Sequence, residues 1–218
     1  MISRVIPKES RIIFGAFAVL SVALWVTVFA GGNEIIIAIA VLVTLAFGFI
    51  LFFFRDPERV VPAGDDNIVS PCDGRVIEVK PISEDVLGEP GKRISIFMTA
   101  FNVHVNRNVC SGIVVEVEHR AGRFGHAGKD RAARENEQNR IVIEHSGFRI
   151  MVTQVAGVLA RRIICRLAPG DDIKKGERFG MIVLGSRLMV ALPDAITICV
   201  KEGQRVRAGE TIIGVINS

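Results

Sequence analysis

Residues 170–177, Gly-Asp-Asp-Ile-Lys-Lys-Gly-Glu, return at residues 203–210 as Gly-Gln-Arg-Val-Arg-Ala-Gly-Glu, with the same Gly-x5-Gly-Glu spacing. A second echo lies upstream. Residues 72–79, Cys-Asp-Gly-Arg-Val-Ile-Glu-Val, match residues 110–117, Cys-Ser-Gly-Ile-Val-Val-Glu-Val, at five of eight positions. Glycine ahead of a strand permits a turn with positive φ, so each echo predicts one turn-and-strand unit built twice. Around them, apolar and polar residues alternate in short runs such as Arg75–Lys80, Arg93–Phe97 and Arg140–Glu144. That period of two indicates strands, and the chain from residue 60 onward reads as mainly β. Only His126 to Gln138, dense in Ala, Arg and Glu, offers room for a short helix or a polar loop.

These half-motifs resemble the biotinyl and lipoyl carrier domains, in which a similar glycine turn precedes a strand. The resemblance implies a flattened β-barrel or sandwich for residues 60–218 and opens a non-enzymatic reading, a membrane-tethered carrier or adaptor. A carrier needs an exposed lysine at a hairpin tip between the matched halves. The stretch from Arg178 to Glu202 holds a single lysine, Lys201, in the approach to a turn. The carrier reading weakens while its implication for the fold stands.

The N-terminal part has another character. Half of the 218 residues are apolar, and 27 basic against 23 acidic side chains give a net charge of +4. No charge falls between Arg11 and Glu34, or between Glu34 and Arg55, which leaves uncharged stretches of 22 and 20 residues. At about 1.5 Å per residue, each is long enough for a hydrocarbon core of roughly 30 Å. The apolar segments 12–30 and 35–54, joined through Gly31, Gly32, Asn33 and Glu34, predict an antiparallel helical hairpin that anchors residues 1–59. Pro57 stops the second helix. Arg and Lys on both outer flanks place the chain ends and the following domain on the cytoplasmic side of the cell membrane. A cleaved signal peptide over residues 1–32 fits less well: its apolar core of about 19 residues exceeds the usual roughly 7–15, and a second apolar segment follows at once. Spanning the bilayer and entering it from one side both remain open.

Composition removes several classes. The charge is small and dispersed, without the aromatic and basic interleaving that binds nucleic acid, so an anionic lipid surface is the more natural partner. The four cysteines form no CxxC pair, which argues against a zinc site or redox motif and for buried free thiols in a reducing compartment. No metal site and no Gly-rich phosphate loop is indicated.

Val183-Leu184-Gly185-Ser186-Arg187 sets a Gly-Ser pair at the end of an apolar strand. Alone it says little, because Gly-Ser is common in turns. It is accompanied, in order, by Phe53-Phe54-Arg55-Asp56-Pro57, Ser70-Pro71-Cys72-Asp73-Gly74, Phe101-Asn102-Val103-His104-Val105-Asn106-Arg107 and Glu135-Asn136-Glu137-Gln138-Asn139. From about Phe52 to Pro193 this ordered set resembles the phosphatidylserine decarboxylase family in its short bacterial and archaeal-type form.

The resemblance implies a self-processing proenzyme. The Ser186 hydroxyl attacks the Gly185 carbonyl and the acyl group moves from nitrogen to oxygen. β-Elimination of the ester and hydrolysis of the dehydroalanine then leave a pyruvoyl group on the new amino terminus. Residues 1–185 become a β chain and residues 186–218 an α chain, which stay together as a heterodimer. The pyruvoyl cofactor forms a Schiff base with phosphatidylserine and yields phosphatidylethanolamine and CO2. The chemical need is clear: decarboxylation leaves a carbanion that no ordinary side chain delocalises, and a carbonyl of this kind serves as the electron sink.

By the same resemblance His104 serves decarboxylation as proton donor or orienting group, with a structural role as the alternative. The long-form enzymes carry a second histidine where this chain has Arg107, so the base that activates Ser186 stays open. Asp73 is the processing aspartate by motif and, by its residues alone, an ordinary turn-forming Asp before Gly. His119, His126 and His145 have no comparable support. Arg123, Lys129, Arg131 and Arg134, with Phe124, read as a solvated loop or as a membrane-contacting lid. Glu135, Asn136 and Glu137 match the family without a mechanism. A third reading, a pyruvoyl decarboxylase of a small soluble amino acid, differs in needing neither residues 1–54 nor a bilayer.

Overall fold

The computed structural model describes residues 8–122, 135–157, 163–182 and 186–217. The chain forms two compact units, Met1–Pro57 and Glu58–Ser218.

The first unit is a pair of helices, α1 (Lys8–Phe29) and α2 (Glu34–Phe53). Asn33 caps α2, its side-chain oxygen accepting from the Ile36 amide at 3.1 Å. The helices meet through the Ser21 and Thr44 hydroxyls, 3.0 Å apart, and through Trp25 Nε1, which donates to Thr44 Oγ1 at 3.0 Å. Polar groups satisfied within the pair suit a low-dielectric surrounding. With a mean hydropathy of 3.1, α2 is long and apolar enough to cross a membrane, and the described apolar run of α1 covers Phe14–Phe29.

The second unit is mainly β. Its strands are β1 (Asn67–Val69), β2 (Gly74–Ser83), β3 (Pro90–Met98), β4 (Val105–Arg107), β5 (Gly112–Arg120), β6 (Gln138–His145), β7 (Phe148–Val155), β8 (Ile163–Cys165), β9 (Asp172–Ile173), β10 (Arg178–Ile182), β11 (Ser186–Pro193), β12 (Ile196–Ile198), β13 (Arg205–Val206) and β14 (Ile212–Ile216). Eight of them make one antiparallel sheet, in the order β13-β2-β3-β11-β7-β6-β5-β9, which curls into a half-barrel. Two three-stranded sheets, β1-β14-β12 and β4-β10-β8, complete the unit. The main core includes Ile94, Ile96, Ile141, Ile143, Ile150, Val152, Leu188 and Val190, from one face of four neighbouring strands.

The echoes of the sequence become a pseudo-twofold axis between β11 and β7. Read from its two ends, the large sheet matches β13 with β9, β2 with β5, β3 with β6 and β11 with β7, and the small sheets match in the same way. The backbone repeats the relation. Gly203 N donates to Val76 O at 2.8 Å, and Gly170 N donates to Val114 O at 2.7 Å. Across the axis, Val69 N donates to Val109 O and Arg107 N to Pro71 O, both at 2.9 Å. Gly176 and Gly209 hold φ of 78° and 72° in the two turns, values that explain the shared glycine.

Two expectations need amendment. Gln138 opens β6 instead of closing a helix or loop, because Gln138, like Arg140, alternates with residues buried on the core side; residues 123–134, including the expected lid and His126, lie outside the described residues. The cysteines are free, with Cys72 and Cys110 buried, but Cys165 is half-buried and Cys199 is exposed just beyond β12, at the edge of its sheet. Burial raises the Cys72 thiol pKa well above its ordinary value, helped by the Asp73 charge, and pushes that of Cys110 up to about 12 against the charge of Lys175.

Candidate active site

Ser186 opens β11, opposite Met98 at the end of β3. On that strand Leu188, Val190 and Leu192 face the main core, and the period of two puts Ser186 on the same side. Ser186 is fully buried, and its hydroxyl has no hydrogen-bond partner among the described residues. Leaving a buried hydroxyl unsatisfied costs about 1–3 kcal/mol, so the serine is not there for stability.

Two connections bring His104 toward this point. β3 ends at Met98, beside Ser186, and the turn that follows, fixed by Thr99 N donating to Asn102 Oδ1 at 2.8 Å, leads to His104. From the other direction, β10 pairs Met181 with Val105, which sets the fully buried His104 level with Ile182, the last residue of β10. Gly185, on the Ser186 side of that connection, lies outside the described residues, so the expected cleavage bond does too.

Near the same end runs a row of buried amides. Asn139 Nδ2 donates to Gln154 Oε1 at 3.1 Å, and Gln154 Nε2 donates to Asn106 Oδ1 at 2.8 Å. Gln154 pairs in register with Leu188, two residues along β11 from Ser186. Asn106 stands on β4 two residues after His104, which immediately precedes the strand. The row ties β6 and β7 to β4 and fixes the segment carrying His104. Asn136 adds a further tie, donating to Ala156 O at 2.7 Å just past Val155, the β7 partner of Arg187.

Asp73 is held elsewhere. Its carboxylate accepts from Arg59 Nη2 at 3.0 and 2.9 Å and from the Ala208 amide at 2.8 Å. Asp73 immediately precedes β2, and the strand β3 lies between β2 and β11. Ser111, its counterpart across the axis, accepts from the Lys175 amide at 3.2 Å. Arg107 is buried and donates to Gly176 O at 3.0 Å, securing one of the two repeated turns. Among the described residues, no group of three or more His, Cys, Asp or Glu side chains could hold a metal ion.

A sequence profile of the phosphatidylserine decarboxylase family matches residues 46–214, which include Asp73, His104 and Ser186. The chain belongs to the phosphatidylserine decarboxylase family. It is 47% identical over 169 residues to the phosphatidylserine decarboxylase proenzyme of Geobacter metallireducens, covering 77% of this chain and 78% of that protein. The proenzyme of Syntrophus aciditrophicus is 47% identical over 178 residues, covering 81% and 84%. That of Geobacter sulfurreducens is 45% identical over 169 residues, covering 77% and 78%. Within this decarboxylase the family match begins inside α2 and runs to β14, so α1 lies outside it.

Sequence reasoning missed the amide row. Part of the signal was legible: Asn139, Gln154 and Ser186 are polar residues in alternation with the apolar Ile141 and Ile143, Ile150 and Val152, and Leu188 and Val190, on strands that prove to be neighbours.

Proposed function

We propose that this chain is a membrane-attached proenzyme that cuts itself between Gly185 and Ser186 and decarboxylates phosphatidylserine to phosphatidylethanolamine and CO2. The observation that carries the reading is the buried Ser186 hydroxyl, which has no hydrogen-bond partner among the described residues, at the start of a strand inside the family match. A residue about to lose its hydroxyl gives up no hydrogen bond in doing so, which fits conversion of residue 186 to a pyruvoyl group. Such a group supplies an electron sink for the carbanion left by the departing carboxylate.

The chain's own residues have distinct tasks. Ser186 Oγ attacks the Gly185 carbonyl, and glycine at 185 lets the attack proceed without a Cβ in the way. Flanking strands β3 and β7 hold the new amino terminus in register after the cut. His104, buried and fixed through Asn106, holds or moves the proton that replaces the lost carboxylate. Asp73 serves processing through the turn that it caps and the Arg59 pair. The apolar α2 anchors the enzyme, the basic flanks orient the catalytic unit to the cytoplasm, and the lipid substrate is taken from the bilayer.

The test is release of CO2 from phosphatidylserine in vesicles compared with free serine. Activity on the lipid alone supports the reading; activity on free serine that survives removal of residues 1–54 overturns it in favour of a soluble substrate. His104→Ala separates two roles. Intact cleavage with turnover reduced at least about 100-fold marks proton transfer, whereas loss of cleavage as well assigns His104 to folding or processing.

A further inference from the structure

The axis supplies an internal control at the start of β11. β6 turns into β7 over Ser146 and Gly147, with His145 paired to Phe148. At the equivalent place in the other half, Met98 pairs with Ser186, and the two belong to distant parts of the chain. The equivalents continue one residue further. Arg149 corresponds to Arg187, and Glu116 to Glu78, with the same strand irregularity between Val114 and Glu116 as between Val76 and Glu78.

The two pairs behave differently. Arg149 and Glu116 are both exposed, and neither appears among the ion pairs of the described residues. Arg187 is fully buried, and its Nη2 donates to Glu78 Oε2 at 2.9 Å across the intervening strand β3. Glu78 also accepts from Ser95 Oγ at 3.2 Å and from Arg93 Nη2 at 3.3 Å, and pairs with Lys80. Arg187 is moreover the first residue of β11 with ladder partners on both sides, Phe97 and Val155.

We infer that Arg187 and Glu78 form a clamp that positions residue 186 once the chain is cut, replacing the covalent turn that holds the equivalent strand β7. The inference rests on the cleavage proposed above. Before the cut, the peptide bond to Gly185 restrains residue 186. After it, residue 186 is a chain end, and ends fray unless tied down. The clamp is a charge-assisted hydrogen bond from the buried guanidinium to a carboxylate that is itself fixed by neighbouring donors. Arg187 is thus a positioning residue, and the reacting carbon is set through it.

The experiment compares Glu78→Gln in two backgrounds of the full chain in detergent: the self-cleaved protein and the uncut Ser186→Ala precursor. The clamp predicts a fall in Tm of about 5 °C or more in the cleaved protein and of less than about 2 °C in the precursor. It also predicts kcat lowered about tenfold or more with KM within about twofold, because a misplaced reacting group loses rate without losing substrate. Arg187→Lys, which keeps the charge without the planar guanidinium, falls between parent and Glu78→Gln. The control Glu116→Gln leaves both Tm values unchanged. Equal falls in the two backgrounds, or unaltered kcat in cleaved Glu78→Gln, overturn the clamp while leaving the cleavage intact. A parent protein that is never cut overturns the proposed function and the clamp together.

Discussion

The two halves of the β unit are built alike and differ where their central strands begin. β7 grows from β6 through a two-residue turn in which Ser146 takes a φ of 50° and Gly147 one of 82°. β11 has the same place in the sheet, but its neighbour β3 is far away in the chain, so Ser186 arrives at a junction without a hairpin. Closing the β6–β7 end requires a left-handed residue, and a cut there would remove the device that sets the register. At the β11 end, the register is set by ladders on both sides, to β3 through Pro193 and to β7 through Ala191. A duplicated barrel thus supplies one end where the chain can be opened while the strands stay in place.

The same comparison extends to the turn caps, and the substitutions that probe it differ in size. Asp73→Ala removes both the Ala208 cap and the shorter of two carboxylate contacts of Arg59, whose side chain is 7% exposed and which keeps Glu210 at 3.4 Å. Losing a charge-assisted hydrogen bond and a cap together costs roughly 2–4 kcal/mol, so this variant should show the largest loss of Tm. Asp73→Ser converts the position to its counterpart, Ser111. Slower cleavage than the parent at matched stability would assign Asp73 a processing role beyond the cap, and unchanged cleavage would reduce it to the cap. Ser111→Ala deletes a single hydrogen bond to the Lys175 amide and should cost about 1 kcal/mol by denaturant titration.

Smaller still is the acid response of Glu78. Burial opposes its ionisation, but the Lys80 hydrogen bond, the charges of Arg187 and Lys80 and the Arg93 hydrogen bond together hold its carboxyl below the ordinary value. A depressed carboxyl contributes stability that is complete above its unfolded pKa and is lost as the pH falls through the lowered folded one. The Tm difference between parent and Glu78→Gln should therefore persist down to about pH 4.3 and close only below it. The smallest effect is expected at the equivalent Cys72 and Cys110. Their raised thiol pKa values leave both untouched by an alkylating reagent that modifies the exposed Cys199. Rapid loss of Cys72 or Cys110 in the folded protein would contradict the packing of the half that holds it.

Much of this was readable in the sequence. Alternation located β2, β3 and β6, and the two echoes announced the repeated turns, because both signals are local. The strand order was not, since nothing local tells β11 that it lies between β3 and β7. The helical pair was legible from absent charge, since α1 and α2 fill the two uncharged stretches to within a few residues of each end. At the site, Ser186, His104 and Asp73 stood out only through their motif company. What those letters could not convey was partnership: Asp73 with Arg59, Arg107 with the Gly176 carbonyl, and Asn106 with Gln154, contacts made between residues far apart in the chain.

The most direct measurement is the intact mass of the purified full-length protein, with the amino terminus of each chain determined. Self-cleavage predicts two chains, residues 1–185 and residues 186–218, the second blocked by a pyruvoyl group and neither present in Ser186→Ala. A single chain of 218 residues that decarboxylates phosphatidylserine would contradict it.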